Sequence, residues 1–285
     1  MNFLRRLLRN CLIGIAVILV IALCVMAWLF HGKGSSVPVL NYHQINDTAK
    51  NPLTVNVEQF DAQMKFLSEN GYHTITPDEM LDAWENGTEL PEKPVVITFD
   101  DGYVDNFKYA FPVLQKYNLK ATIFLISDYL EVYPNYVTWA QAKTMQDSGL
   151  INFESHTLNH SKLTELQSTR EVQNQLFGSK QAIEFKLNNR VKYIAYPCGS
   201  YDQDVIKLTE EAGYRGAFTV NYGWADPEES HYVMDRVPIF GNNEHTLMRF
   251  KLRLVFAPVV APLSRMREAL TDGGFTRLAS FIPVP

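Results

Sequence analysis

The chain has three cysteines among its 285 residues, and two of them, Cys11 and Cys24, fall within the first thirty. Beyond that only Cys198 remains, so no disulfide can form within the rest of the chain and its stability must come from a buried core. Positive charge is not in surplus either: 26 Lys plus Arg against 31 Asp plus Glu give a net charge of −5. That argues against nucleic acid as a partner, which needs a concentrated basic face. Sequence repeats and low-complexity tracts are absent. With 46% hydrophobic and 20% charged residues, disorder as the main state is excluded.

The most local absence is of charge between Cys11 and Phe30, which read CLIGIAVILVIALCVMAWLF. As a helix rising about 1.5 Å per residue, this run spans the roughly 30 Å of a bilayer's hydrocarbon. Arg5, Arg6 and Arg9 precede it and Lys33 follows, so the positive-inside rule predicts a single-pass anchor in the cell membrane, N-terminus cytoplasmic and the remainder outside. A cleaved signal peptide has a shorter core and a small-x-small site, which the segment around Met26 to Leu29 lacks.

What is present is a strand and helix alternation. Apolar runs predict strands near 37–42, 72–76, 95–100, 121–126, 151–156, 191–197 and 216–220, with another at 236–240. Between them, Asn56 with Gln59, Thr76 with Pro77 and Glu79, and Thr138 with Gln141 mark helix starts, while Gly71, Gly87, Gly149 and Gly213 mark ends. Strands such as VVITF and ATIFLI are apolar throughout, as in a parallel sheet covered by helices. The expected fold is α/β, a barrel of seven or eight parallel strands. The chain divides into a cytoplasmic N-terminus (1–10), anchor (11–30), linker (31–36), one domain (37–250) and a tail (251–285). From Arg249 onward six basic residues face Glu268 and Asp272, a net +4 among apolar side chains. Such a tail either lies on an anionic membrane surface or packs against the barrel.

Chemistry-bearing residues recur at the predicted strand ends. Asp100 and Asp101, in TFDDGY, are adjacent carboxylates that repel unless a cation or proton offsets them. In ESHTLNH, His156 and His160 are four apart and can converge on one ion, leaving positions open for water and substrate when a carboxylate joins them. Tyr196-Pro197-Cys198-Gly199 shapes a tight loop whose N–H groups can face a reacting oxygen, and His43 follows the first strand. Each motif alone also fits a turn, a cap or a structural histidine. In a parallel barrel, however, all these strand ends form one face, where such folds keep their active sites.

Over most of residues 37–240, TFDDGY together with SHTLNH resembles the polysaccharide deacetylases of carbohydrate esterase family four, the NodB-homology domain. The resemblance implies a distorted barrel holding a divalent metal, commonly zinc, through Asp101, His156 and His160. It implies Asp100 as general base and the Cys198 backbone N–H as oxyanion donor. Tyr42-His43 followed by Val57 to Gln63 is similar to the poly-β-1,6-N-acetylglucosamine deacetylases of biofilm operons, in which the catalytic acid comes from the N-terminal strand, here His43.

The sequence departs from the family where Ala195 occupies the position of the arginine that orients the base; Arg236 is the candidate replacement. Tyr103, Tyr196 and Tyr201 are candidates for stacking on sugar rings, as are Trp139 and Trp224. The expectation is metal-dependent N-deacetylation of an extracellular acetylated polysaccharide. Alternatives are a peptidoglycan or chitin-type N-deacetylase, an O-acetyl esterase, or a catalytically silent sugar-binding protein. The sequence names no polysaccharide synthase or export partner.

Overall fold

The computed structural model describes residues 35–241 and 246–282. The expected span at 11–30 lies outside them, and among the described residues no helix is long and apolar enough to cross a membrane. The strands are β1 (Val39–Tyr42), β2 (Gln44–Ile45), β3 (Thr54–Val55), β4 (His73–Thr74), β5 (Pro94–Phe99), β6 (Ala121–Leu125), β7 (Ile151–Ser155), β8 (Tyr193–Ala195), β9 (Gly216–Tyr222) and β10 (Met234–Pro238). The helices are α1 (Val57–Glu69), α2 (Pro77–Asn86), α3 (Phe111–Tyr117), α4 (Trp139–Asp147), α5 (Thr169–Leu187), α6 (Gln203–Glu211), α7 (Leu247–Asp272) and α8 (Thr276–Ala279).

Seven strands close a parallel barrel in the order β1, β10, β9, β8, β7, β6, β5, the ring completed by β1 against β5 from Val39↔Val96 to Tyr42↔Phe99. The segment expected as a strand at 72–76 does not join this ring. Only His73 and Thr74 pair, with Pro94 and Val95 at the start of β5, so β4 is a flange beside the barrel. The barrel is distorted at two seams: β7 meets β8 through the single register pair Ser155↔Ile194, and the β9–β10 register shifts between Met234 and Arg236.

The period-two alternation of a strand sorts its side chains to two cores. Val39, Val96, Phe124, Tyr193, Ala195, Phe218 and Met234 fill the barrel, closed from below by Ile75 and by Met80 and Leu81 of α2. Leu40, Ile97, Phe99, Ile123, Leu125 and Phe153 point outward, where Phe60 and Met64 of α1 and Leu176 and Ile183 of α5 belong to the covering core. Each fully buried side chain of this size contributes roughly 1.5–3 kcal/mol, and the two cores supply the stabilisation that missing disulfides would otherwise give.

Helix starts follow the sequence signals. Thr76 with Glu79 and Thr138 with Gln141 form complete capping boxes, and Asn56 Oδ1 accepts from Gln59 N–H at 2.7 Å. Below the barrel, Tyr193 Oη donates to Asp78 at 3.0 Å and Arg215 Nη1 sits 2.8 Å from the same carboxylate. Charged groups of α2 therefore seal the N-terminal mouth, leaving the C-terminal mouth for chemistry.

The expected domain boundary at 250 falls inside α7, which is one continuous helix. Phe250, Leu254, Ala257 and Ala261 are buried against the barrel. Pro258 has no N–H for the Leu254 carbonyl four residues earlier, and the Trp224 indole N–H donates to that carbonyl instead, at 3.0 Å. Trp224 thus serves the packing of α7.

Candidate active site

His43 follows β1, Asp100 and Asp101 follow β5, His156 follows β7, Cys198 follows β8, and Arg236 lies within β10. Because these strands are parallel members of one ring, all six meet at the C-terminal mouth. His156 Nε2 lies 3.4 Å and His160 Nε2 3.5 Å from Asp101 Oδ1. Those separations match ligand atoms each about 2.0–2.2 Å from a shared tetrahedral ion. Asp101 Oδ1 is buried and has no hydrogen-bond partner, an arrangement that favours a cation at this point. The donor set therefore fits a divalent metal.

The backbone is bent to deliver these groups. Asp101, His160 and Cys198 all adopt positive φ, at 73°, 62° and 54°, and such residues cost of order 1–3 kcal/mol each. Gly102 next to Asp101 has φ +76°, and a Cβ there would lie 2.5 Å from Leu125 Cδ2. Only glycine fits the turn. The His156 ring is fixed by its other nitrogen, Nδ1, 2.7 Å from the Ala195 carbonyl, which aims Nε2 at Asp101.

Asp100 is buried and held by a two-pronged fork: Arg236 Nη1 lies 2.7 Å from Oδ1 and Nη2 2.7 Å from Oδ2. The guanidinium is itself locked, with Nε donating to the Thr219 carbonyl at 2.8 Å and Nη1 to Thr98 Oγ1 at 3.3 Å. Burial pushes the Asp100 carboxyl up, but Arg236 and then His156 outweigh it and hold the group well below the usual carboxylate range. His43 Nε2 stands 3.9 Å from Asp100 Oδ2, and burial lowers the His43 imidazole, only partly countered by Asp100 and Asp101. Burial likewise opposes charge on His156, yet Asp101 and Asp100 raise it; His160 is lowered, by burial and then by His156.

Of the three tyrosines expected at the sugar, Tyr196 is fully buried, its hydroxyl directed at Thr209. It has no open face and instead stacks under half-buried Tyr201, with centroids 5.4 Å apart. Tyr103 stacks on Tyr136 at 5.1 Å, and Tyr129 and Tyr133 join that group edge-on or tilted. The sequence reading missed this rim. Its signal is the aromatic density of YLEVYPNY at 129–136, which has no helical or strand period. Also missed was Asn106, whose Nδ2 donates to the His43 carbonyl at 2.8 Å and sets where that histidine stands.

The polysaccharide deacetylase family model matches residues 87–217, leaving the His43 strand and Arg236 outside the matched stretch. YxkH of Bacillus subtilis strain 168, assigned by name to the polysaccharide deacetylases, is 37% identical over 213 residues, 75% of each chain. The poly-β-1,6-N-acetyl-D-glucosamine N-deacetylase of Staphylococcus aureus is 27% identical over 76% of this chain and 84% of its own. In structure, the deacetylase PplD of Streptococcus pyogenes, in complex with acetate, superposes with a TM-score of 0.72 at 28% identity, covering 77% of this chain and 98% of PplD. BC0361, a polysaccharide deacetylase from Bacillus cereus, gives 0.68 at 32% identity, over 77% and 69%. With a relative of this identity matched over three quarters of its length, and the fold and mouth geometry described above, the chain belongs to the polysaccharide deacetylase family and is a deacetylase.

Proposed function

We propose that this enzyme removes N-acetyl groups from N-acetylglucosamine units of an extracellular polysaccharide, β-1,6-linked, while held to the cell membrane by residues 11–30. The observation that carries the reading is His43, directly after the first strand, 3.9 Å from Asp100, whose neighbour Asp101 gathers with His156 and His160. Likeness to the S. aureus enzyme supports the choice of polymer. Asp101, His156 and His160 would hold the metal, zinc by the borderline nature of one oxygen and two nitrogen donors. When bound, it supplies Lewis acidity toward the acetyl carbonyl and lowers the pKa of the attacking water.

The protein's own groups move the protons. Asp100, kept ionised by Arg236, accepts the proton of the attacking water. His43, whose imidazole burial holds toward the neutral form, receives that proton through one bridging water, since 3.9 Å is beyond direct hydrogen-bond reach, and delivers it to the departing amine. The Gly199 and Ser200 N–H groups are spent on the Tyr196 and Pro197 carbonyls within the turn. The Cys198 N–H is the donor we assign to the oxyanion. Products are acetate and a glucosamine unit still in its polymer.

The test is acetate release from β-1,6 and β-1,4 N-acetylglucosamine oligomers, measured with the metal content of the same preparation. Release from the β-1,6 series with bound metal supports the proposal. Preference for β-1,4 oligomers moves the enzyme to the peptidoglycan or chitin type, release from O-acetylated polymer alone makes it an esterase, and neither metal nor acetate leaves a sugar-binding protein.

A further inference from the structure

Helix α7 is amphipathic in the opposite sense to an ordinary surface helix. Its buried face, Phe250, Leu254, Ala257 and Ala261, packs on the barrel. At 100° per residue, a second apolar stripe runs along the outward side: Met248, Leu252, Val255, Val259, Leu263 and Met266. Met248 is 65% exposed, Leu252 47% and Met266 48%. After Gly273 and Gly274 the stripe continues into Phe275, Leu278 and Phe281, the last 77% exposed. A soluble surface normally scatters such residues singly; a contiguous run marks an interaction site.

The charges beside the stripe identify the partner. On the helical projection exposed Arg267 flanks one side, and exposed Arg277 stands beside Leu278 in the continuation, where long basic side chains can reach past an apolar face to anionic groups; Lys251, on the other side, lays its Nζ 4.4 Å over the Phe66 ring of α1. The residues from 249 onward carry a net +4, although the whole chain carries −5; of that count Arg253 and Arg265 are held by the barrel. A second copy packed stripe to stripe would bring like charges together, which is unfavourable; an anionic lipid surface would not.

Attachment points of the helix agree with this. Arg253 Nη1 donates to the Pro238 carbonyl at the end of β10, and Arg265 Nη2 reaches Asp235 at its start, at 2.6 Å each. The helix thus runs along the barrel wall, antiparallel to β10. Its lower half also pairs with Glu229, at 3.2 Å. The same loop receives the N-terminal side of the domain, where Val37 bridges Ala225. The described chain therefore enters the domain, at Val37, beside the lower half of the helix.

We propose that the outward face of α7, with the segment to Phe281, lies in the interface of an anionic bilayer. The barrel axis then runs along the membrane and the catalytic mouth opens sideways over its surface. The proposal stands on the helix itself and does not depend on which polymer is deacetylated.

The test uses the full chain with Cys11, Cys24 and Cys198 replaced by Ser, carrying an environment-sensitive fluorophore at Leu263→Cys. It is reconstituted into phosphatidylcholine–phosphatidylglycerol vesicles containing doxyl-labelled lipid. We expect a blue-shifted emission quenched about twofold, as for a side chain 5–10 Å into the interface, with a label at exposed Phe185→Cys on α5 unchanged. Arg267→Glu with Arg277→Glu, both at exposed positions, should relieve most of the quenching. A water-exposed, unquenched label in chains that are vesicle-bound overturns the proposal. So does disulfide crosslinking between two copies through Leu263→Cys, which makes the face a dimer contact, or shielding that is already complete without lipid, which makes it a seat for the chain's own N-terminal segment.

Discussion

Arg236 holds Asp100 by both carboxylate oxygens at 2.7 Å, although the two are 136 residues apart in sequence. Both are buried, so each is the other's compensation for lost hydration. Arg236→Met leaves a buried carboxylate unpaired and should cost about 3–5 kcal/mol of stability, read from the denaturant midpoint. Arg236→Lys keeps a charge but not the fork. With less to offset burial, Asp100 rises, and the acid limb of the kcat–pH profile should move to higher pH. An unmoved limb in a folded Arg236→Lys enzyme would separate the arginine from the base.

Asp100 and Asp101 are neighbours to which we assign different tasks. Asp100→Asn should retain bound metal yet lose at least about 10²-fold in turnover, the scale of a lost general base. His156→Ala should lose both, since His156 Nε2 belongs to the Asp101 and His160 cluster. Metal analysis beside acetate release distinguishes them, and full activity in Asp100→Asn would sink its assignment as base.

His43 matters in proportion to how poor the leaving group is. His43→Ala should reduce release from N-acetylglucosamine oligomers by about 10²-fold or more, but should leave hydrolysis of 4-nitrophenyl acetate, whose phenolate departs unprotonated, nearly unchanged. Equal losses on both substrates would assign the histidine to positioning rather than proton donation.

Asp105 gives a pH test of stability, read from unfolding rather than from turnover. It is buried, and burial raises its carboxyl to about 6 despite the Asn46 amide on Oδ2 at 2.7 Å. A carboxylate raised in the folded state is protonated there while the unfolded chain has already ionised. Stability from this group is therefore lost as pH climbs from about 4 to 6, at up to about 1.4 kcal/mol per unit. Between pH 4.5 and 7.5 the wild type should lose stability relative to Asp105→Asn. A gap between the two that does not change with pH would refute the assignment.

Much of the fold was legible because its signals are local. Thr76 to Glu79 and Thr138 to Gln141 bring their own capping partners, and apolar runs such as VVITF show strands buried on both faces. β4 was not legible: whether an apolar segment joins a ring depends on how many strands closure requires, and His73 and Thr74 are left as a flange. Tyr196 looked like a site residue because it sits beside Cys198, but its ring turned into the core while Cys198 stayed exposed. Nothing local distinguishes those two directions.

By itself, the sequence determined which residue types stand at the strand ends. TFDDGY sets two carboxylates side by side and SHTLNH sets two histidines four apart, each motif local enough to be read from the chain. Tertiary structure alone decided that Arg236 forks onto Asp100, that His43 faces Asp100, and that the apolar stripe of α7 points outward. Each depends on how a closed parallel ring sets distant segments side by side and on which way a side chain then faces. Chain-local periodicity carries the first only through the rules of the fold, and the second not at all.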